Sequence, residues 1–286
     1  MFELNFHRFE YGFDNSNQRL EILRDVWESL IRLLFAIVVG EFICSNISMV
    51  EANISRNHIF SDKLHDKLMV IKKLVELASI KEFPFSFLSI IDIDVVNKLE
   101  ELNKVRNLFS HISALSEDQA RQMIIDHLDH VLAILKQLEN LSNITIIRCI
   151  GQYDSNQSHS FNIRCERFKG FAINRDIRTL TVQPEQLSKY IPYFNSNNVL
   201  VKIEESIFSV SPFLSFIRDG HHTKLCFYIK KGGTEPNRKF TYEIIAESRG
   251  IEKEEVIFAE EISKLNILLP NTANSGRTQI TREKQV

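Results

Sequence analysis

The stretch Leu135-Lys136-Gln137-Leu138-Glu139-Asn140-Leu141-Ser142-Asn143-Ile144-Thr145-Ile146-Ile147-Arg148-Cys149 divides two kinds of sequence. Before Leu141, apolar residues recur every three or four positions, the period of a helix with one buried face. After Ser142-Asn143 they come in short β-type runs between turn residues, as strands do. The expected fold class is α+β. An N-terminal all-α helical bundle over 1–142 precedes a smaller antiparallel β-rich domain over 143–270. The polar stretch 271–286 has few apolar residues and is expected to be a disordered tail.

Upstream of the divide four helices are expected. Leu20, Leu23, Val26, Trp27, Leu30, Leu33, Leu34 and Ile37 mark the first, from Asn17 to about Ile47. It is apolar nearly all round from Leu33 to Val39, which suits a core helix better than a dimer-interface helix. Ser61-Asp62 starts the second, with Leu64, Leu68, Ile71, Leu74, Val75 and Ala78 as its stripe. Pro84 stops it, since proline lacks the backbone donor. An apolar connector, Phe83 to Ile93, leads to the third helix, about Asp94 to Ile112. Its apolar set is Val95, Leu99, Leu102, Val105, Leu108, Phe109 and Ile112. Asn103, Arg106, Asn107, Ser110 and His111 form a polar set expected to face outward. Ser116 and Gln119 have capping-box spacing at the head of the fourth helix.

Downstream, Thr145–Cys149, Phe161–Cys165, Val199–Ile203 and Ile207–Val210 read as strands. Leu225–Ile229 and Phe240–Ile245 bracket a turn-rich loop and predict a hairpin. Pro184–Tyr190 is expected as a short helix, and Lys253–Leu265 as a helical or mixed closing element.

Composition narrows the function. The 286 residues carry a net charge of −2, which argues against a constitutive, non-specific nucleic-acid binder. Glycines number nine, and neither a Walker loop nor a dinucleotide fingerprint is present. Cys44, Cys149, Cys165 and Cys226 are scattered, without the paired spacing of a zinc site or a disulfide framework. No signal-peptide core is visible, and the longest apolar run falls short of the ~20 residues needed to span a bilayer. A cytoplasmic protein with reduced thiols and no membrane partner is expected.

Chemistry concentrates in Arg106-Asn107-Leu108-Phe109-Ser110-His111. RNA carries its own nucleophile, the 2′-hydroxyl. Metal-free cleavage then needs a group that moves protons near neutrality, which is histidine, and a fixed cation for the phosphate charge, which is arginine. Asn107, four residues before His111, can share its helix face and orient the imidazole or bind phosphate. Ser110 and Asn103 are auxiliary candidates. The segment resembles the HEPN (higher eukaryotes and prokaryotes nucleotide-binding) superfamily, whose hallmark is arginine, four to six residues, then histidine. The resemblance covers about 15–142 by helix order and is sharp only at this motif. It implies a HEPN-like helical bundle that dimerises so that two motifs share a cleft. It also implies metal-independent RNA cleavage without a cofactor, in toxin or antiviral-defence systems, with an inhibitory or activating protein partner. Arg106 and His111 would be the catalytic pair. Ser113 stands where one toxin branch has a tyrosine.

Other constellations read more plainly. His127 and His130 are one turn apart, but no third metal ligand is recognisable, and a polar helix edge is the better reading. His221-His222 reads as a turn. Arg164, Arg167, Lys169, Arg175 and Arg178, interleaved with Phe161, Phe168 and Phe171, suit single-stranded RNA. They suit a basic edge strand better.

Overall fold

The computed structural model describes residues 15–109, 115–155, 161–168, 176–182, 198–219, 222–232, 238–244 and 249–269. The expectations for Pro184–Tyr190 and for 271–286 lie outside the described residues. Helices come first: α1 (Ser16–Ser45), the single turn α2 (Arg56–Ile59), α3 (Leu64–Ile80), α4 (Ile93–Phe109) and α5 (Glu117–Gln137). Nine strands follow among the described residues: β1 (Thr145–Ser155), β2 (Phe161–Phe168), β3 (Asp176–Val182), β4 (Val199–Ile203), β5 (Ser206–Ser209), β6 (Leu214–Asp219), β7 (His222–Gly232), β8 (Lys239–Ile244) and β9 (Arg249–Glu254). Helix α6 (Ala259–Leu268) closes the described chain. The fold is α+β. One sheet has the order β3-β2-β1-β4-β5 and the other β6-β7-β8-β9. Every pairing within them is antiparallel.

Helix α1 occupies the centre. Asn15 caps it by accepting from the backbone N–H of Asn17 at 2.8 Å and of Gln18 at 3.3 Å. Asn46, in the left-handed region at φ 53°, ends it. From Ser29 to Cys44 every side chain is buried, as the all-round apolar run requires. Helices α3, α4 and α5 cover part of its surface, and strands β5 and β7 and helix α6 cover the rest. Phe35 meets Phe213 edge-on at 5.0 Å, and the Cys44 thiol donates to the Ser209 carbonyl at 3.7 Å. One hydrophobic core thus runs from Leu20 through the sheets to Leu269. Each fully buried Leu, Ile or Phe in it contributes about 1.5–3 kcal/mol by leaving water.

Around α1 local chemistry sets the boundaries. Helix α3 stops at Ile80, ahead of Pro84, because Glu82 turns into the left-handed region at φ 53°. The connector after it folds into a 3-10 turn, Ser86–Ser89. Buried Glu41 of α1 accepts from its Ser86 N–H at 2.8 Å, Ser86 Oγ at 2.7 Å and Phe87 N–H at 3.0 Å. Burial raises the Glu41 pKa, and these three donors oppose the rise. Ser116 and Gln119 form the expected capping box of α5. Glu117 of that first turn accepts from the Ser16 N–H at 2.6 Å, joining the starts of α5 and α1.

Strand β8 alternates buried Phe240, Tyr242 and Ile244 with less buried residues, so one face of its sheet looks into the core. Strand β4 is buried on both faces except at Lys202. Strands β3, β6 and β9 were not expected from the sequence. The expected closing element Lys253–Leu265 takes in the end of β9, a 3-10 turn and most of α6.

Helix and sheet approach closely at Gly40, where an added Cβ would lie 2.6 Å from the Ser209 carbonyl oxygen. Alanine normally improves a helix interior by about 1 kcal/mol over glycine. Here the backbone collision reverses the sign. Gly40→Ala is expected to destabilise the chain by about 1–3 kcal/mol in urea unfolding. A stabilised variant would contradict this seam.

Candidate functional site

Helix α4 carries the first half of the Arg106–His111 motif. Arg106 and Asn107 stand in its last turn, and Ser110 and His111 lie outside the described residues. The expected outward polar face is corrected at its first member. Asn103 is 7% exposed and belongs to the buried arc with Val95, Val96, Leu99 and Leu102. The reason is helical phase: Asn103 follows Leu99 by four residues, only about 40° round the axis.

Beside this part of α4 a cleft of about 650 Å³ opens between α1, α4 and the start of α3. Its charged lining is Arg32 from α1, Asp62 and Lys63 ahead of α3, and Glu100 and Lys104 from α4, with Asn103 and His65 between them. The N-terminus of α3 faces this cleft through Lys63, Leu64 and His65. No side chain caps that terminus. The Asn103 Oδ1 is buried without a hydrogen-bond partner among the described residues. Glu100 is held by Lys72 at 2.8 Å.

Two buried cations stand behind the cleft. Arg32 donates from one terminal nitrogen to the Tyr228 carbonyl at 3.1 Å, and its other lies 3.8 Å from Glu28. Lys67, 1% exposed, donates to the Ser61 carbonyl at 2.8 Å. Its ammonium lies over the rings of Phe35 at 4.6 Å and Tyr228 at 5.1 Å. The Tyr228 hydroxyl donates to the Phe60 carbonyl at 2.9 Å. Burial, then the nearby Arg32 charge, lowers the Lys67 pKa to about 7. Asp62 and Asp66 oppose that fall. Neither cation was singled out in the sequence, yet both carry a signal. Lys67 interrupts the apolar stripe between Leu64 and Leu68, and Arg32 stands inside the run buried all round.

The basic cluster of the β part is divided. Arg164 and Arg167 lie on β2 and Arg178 on β3, while Lys169 and Arg175 lie outside the described residues. Cys165 pairs with Arg178, so Arg178 shares a sheet face with Cys165 and Arg167, and Arg164 takes the other. Strand β3 is an edge strand. Phe168 stacks on Phe216 at 4.9 Å. Arg148 and Glu166 pair at 3.1 Å across β1 and β2. The His127 and His130 rings are 6.4 Å apart, and no cluster of three metal-ligating side chains occurs among the described residues. No helix among them is long and apolar enough to cross a membrane.

Compared with protein-family models, with curated proteins and with solved structures, the chain gives no significant match.

Lys67 makes a pH test of the seam. Below about pH 7 the folded and unfolded chains both hold its proton. Between about 7 and the ordinary lysine value of 10.5, the unfolded chain holds a proton that the folded chain has released. Stability therefore rises with pH across that window, by up to about 1.4 kcal/mol per pH unit from this group. Lys67→Met is expected to remove this part of the rise in urea unfolding at pH 7 and at about pH 10. Parallel pH profiles of wild type and variant would contradict it.

Proposed function

We propose that this chain is a metal-independent endoribonuclease of the HEPN type, a toxin or antiviral-defence effector acting in the cytoplasm as a homodimer. The observation that carries this reading is the sequence spacing Arg106-Asn107, then His111, which begins in the last turn of α4 and precedes the capped start of α5. Arg106 stabilises the charge that builds on the phosphate, and His111 moves the proton at the 2′-hydroxyl or the leaving oxygen. Asn107 orients the imidazole, with Ser110 and Asn103 as auxiliaries. The second copy completes a composite cleft. No cofactor takes part. The net charge of −2 agrees with an enzyme held in check by a protein partner or a signal. The β part supplies the platform for that control or a surface for RNA.

One observation favours a second reading. Asn103, on the helix turn before Arg106, is buried. A non-catalytic HEPN scaffold, binding nucleotide or RNA and recruiting a partner protein, uses such an arrangement without chemistry.

Purified chain is expected to cleave RNA in the presence of EDTA. Arg106→Ala and His111→Ala each reduce the rate by about 100-fold or more, the scale of a lost general acid–base group. Equal cleavage by the double variant would falsify the nuclease reading, and folded protein without any cleavage would favour the scaffold.

A further inference from the structure

We propose that Cys149 of β1 and Cys165 of β2 form a redox-sensitive pair, which a hydroperoxide converts into a cross-strand disulfide that staples the two strands. This does not rest on the nuclease reading.

Cysteine spacing in the sequence gives no pairing, but the register of the sheet does. In the antiparallel ladder of β1 and β2, Cys149 stands directly opposite Cys165. Opposed residues of such a ladder have Cα atoms about 4.5–5.5 Å apart, inside the range of about 4.4–6.8 Å that a disulfide spans. Their side chains leave the same face of the sheet. Both are thiols in this structure. The bond therefore needs no change of register, only the removal of two hydrogens. The other two cysteines are placed differently. Cys226 of β7 faces Ser215 of β6, and the thiol of Cys44 on α1 donates to the Ser209 carbonyl.

Burial decides when the pair reacts. Cys149 is 1% exposed and Cys165 0%. Burial first, then the neighbouring Cys165, pushes the Cys149 thiol up to about 12. The thiolate is the nucleophile, so the closed sheet shields the pair. Three features make a local opening easier here. The regular ladder stops at this pair, for beyond it β1 has Ile150, Gly151 and Gln152 where β2 has Arg164 alone. Such a bulge disrupts the ladder. The outer neighbour of β2 is β3, an edge strand. Finally, Cys149 and Cys165, like Ile147, Leu200 and Ile207, are buried outside the continuous core that includes α1. Segments with fewer core contacts open below the global free energy.

In the opened pair one thiolate attacks a peroxide oxygen. The O–O bond breaks, the sulfur becomes a sulfenic acid, and the departing oxygen takes up the thiol proton as water. The second sulfur then attacks the first. The S–S bond forms, the S–O bond breaks, and a second water leaves with the other thiol proton. Two thiols and one hydrogen peroxide give one disulfide and two waters, with two electrons passing from sulfur to the peroxide. A dithiol reductant reverses the bridge by exchange.

Freshly reduced full-length chain is treated with hydrogen peroxide at neutral pH. Remaining thiols are then blocked with N-ethylmaleimide in denaturant, and the peptides are mapped by mass spectrometry. The expected product has one bridge within the chain, Cys149 to Cys165, with Cys44 and Cys226 recovered as blocked thiols. Dithiothreitol restores all four thiols. The bridge closes a loop of about 15 residues and is expected to raise the urea midpoint by about 1 M. Urea below the unfolding transition speeds bridge formation while Cys44 stays unlabelled. Cys149→Ser and Cys165→Ser each abolish the bridge and the peroxide-induced rise in midpoint. If either variant unfolds, the wild-type peptide map decides alone. Four unreacted thiols in the folded chain, after peroxide has fully oxidised glutathione in a parallel sample, overturn the proposal. So do a bridge through Cys44 or Cys226, a disulfide between two chains, and separate oxidation of Cys149 and Cys165 without a bridge.

Discussion

The burial of α1 on all sides is the constraint on which the rest of the structure depends. A helix buried from Ser29 to Cys44 leaves no stripe for solvent, so both helices and sheets must cover it. The contact tightens at Gly40, where only hydrogen fits between helix and strand β5. Around that contact, Phe35 and Cys44 fix the rotation of α1 against the segment Ser209–Phe213. The connector after α3 is fixed in turn, because Glu41 needs the donors of Ser86 and Phe87 to offset its own burial. On the far side, α6 docks through the Met49 N–H to the Leu268 carbonyl at 2.9 Å and Arg56 to Asn266 at 2.6 Å.

That burial has an electrostatic consequence. Arg32 and Lys67 are taken out of water together, with two carbonyls, two aromatic faces and the Glu28 carboxylate among their partners. Like charges in low dielectric disfavour each other, which lowers the Lys67 pKa beyond what burial alone does. The same seam carries Tyr228, which accepts from Arg32 through its carbonyl and donates to Phe60 through its hydroxyl. Sheet, α1 and the start of α3 therefore meet at one polar knot inside an apolar core. The cleft opens beside this knot, with Arg32 belonging to both.

The legible parts of the sequence were those with a strong local period. The first helix, the Ser116 cap and the β7–β8 hairpin can be read from apolar spacing and turn residues alone. Strands β3, β6 and β9 could not. Asp176–Val182 carries its charges on an edge strand, and Arg249–Glu254 is mostly charged, so neither shows a buried face. Leu214–Asp219 follows the turn at Ser211-Pro212 and buries Leu214, Ser215, Phe216 and Ile217 in succession, so it shows no alternation. The facing of α4 is illegible for a different reason: residue type does not set exposure. Asn103 is polar, but four residues after Leu99 its direction is set by the helix, and the helix buries it. The cleft has no signature in sequence because its parts come from three helices and meet only in the fold.

Native-state hydrogen exchange as a function of urea tests the account most directly. If α1 is the shared core of helices and sheets, its central amides and those of β4 and β7 open in one global event, at one free energy and with one urea dependence. Amides of β4 and β7 that exchange through a separate, cheaper opening while α1 stays protected would contradict it.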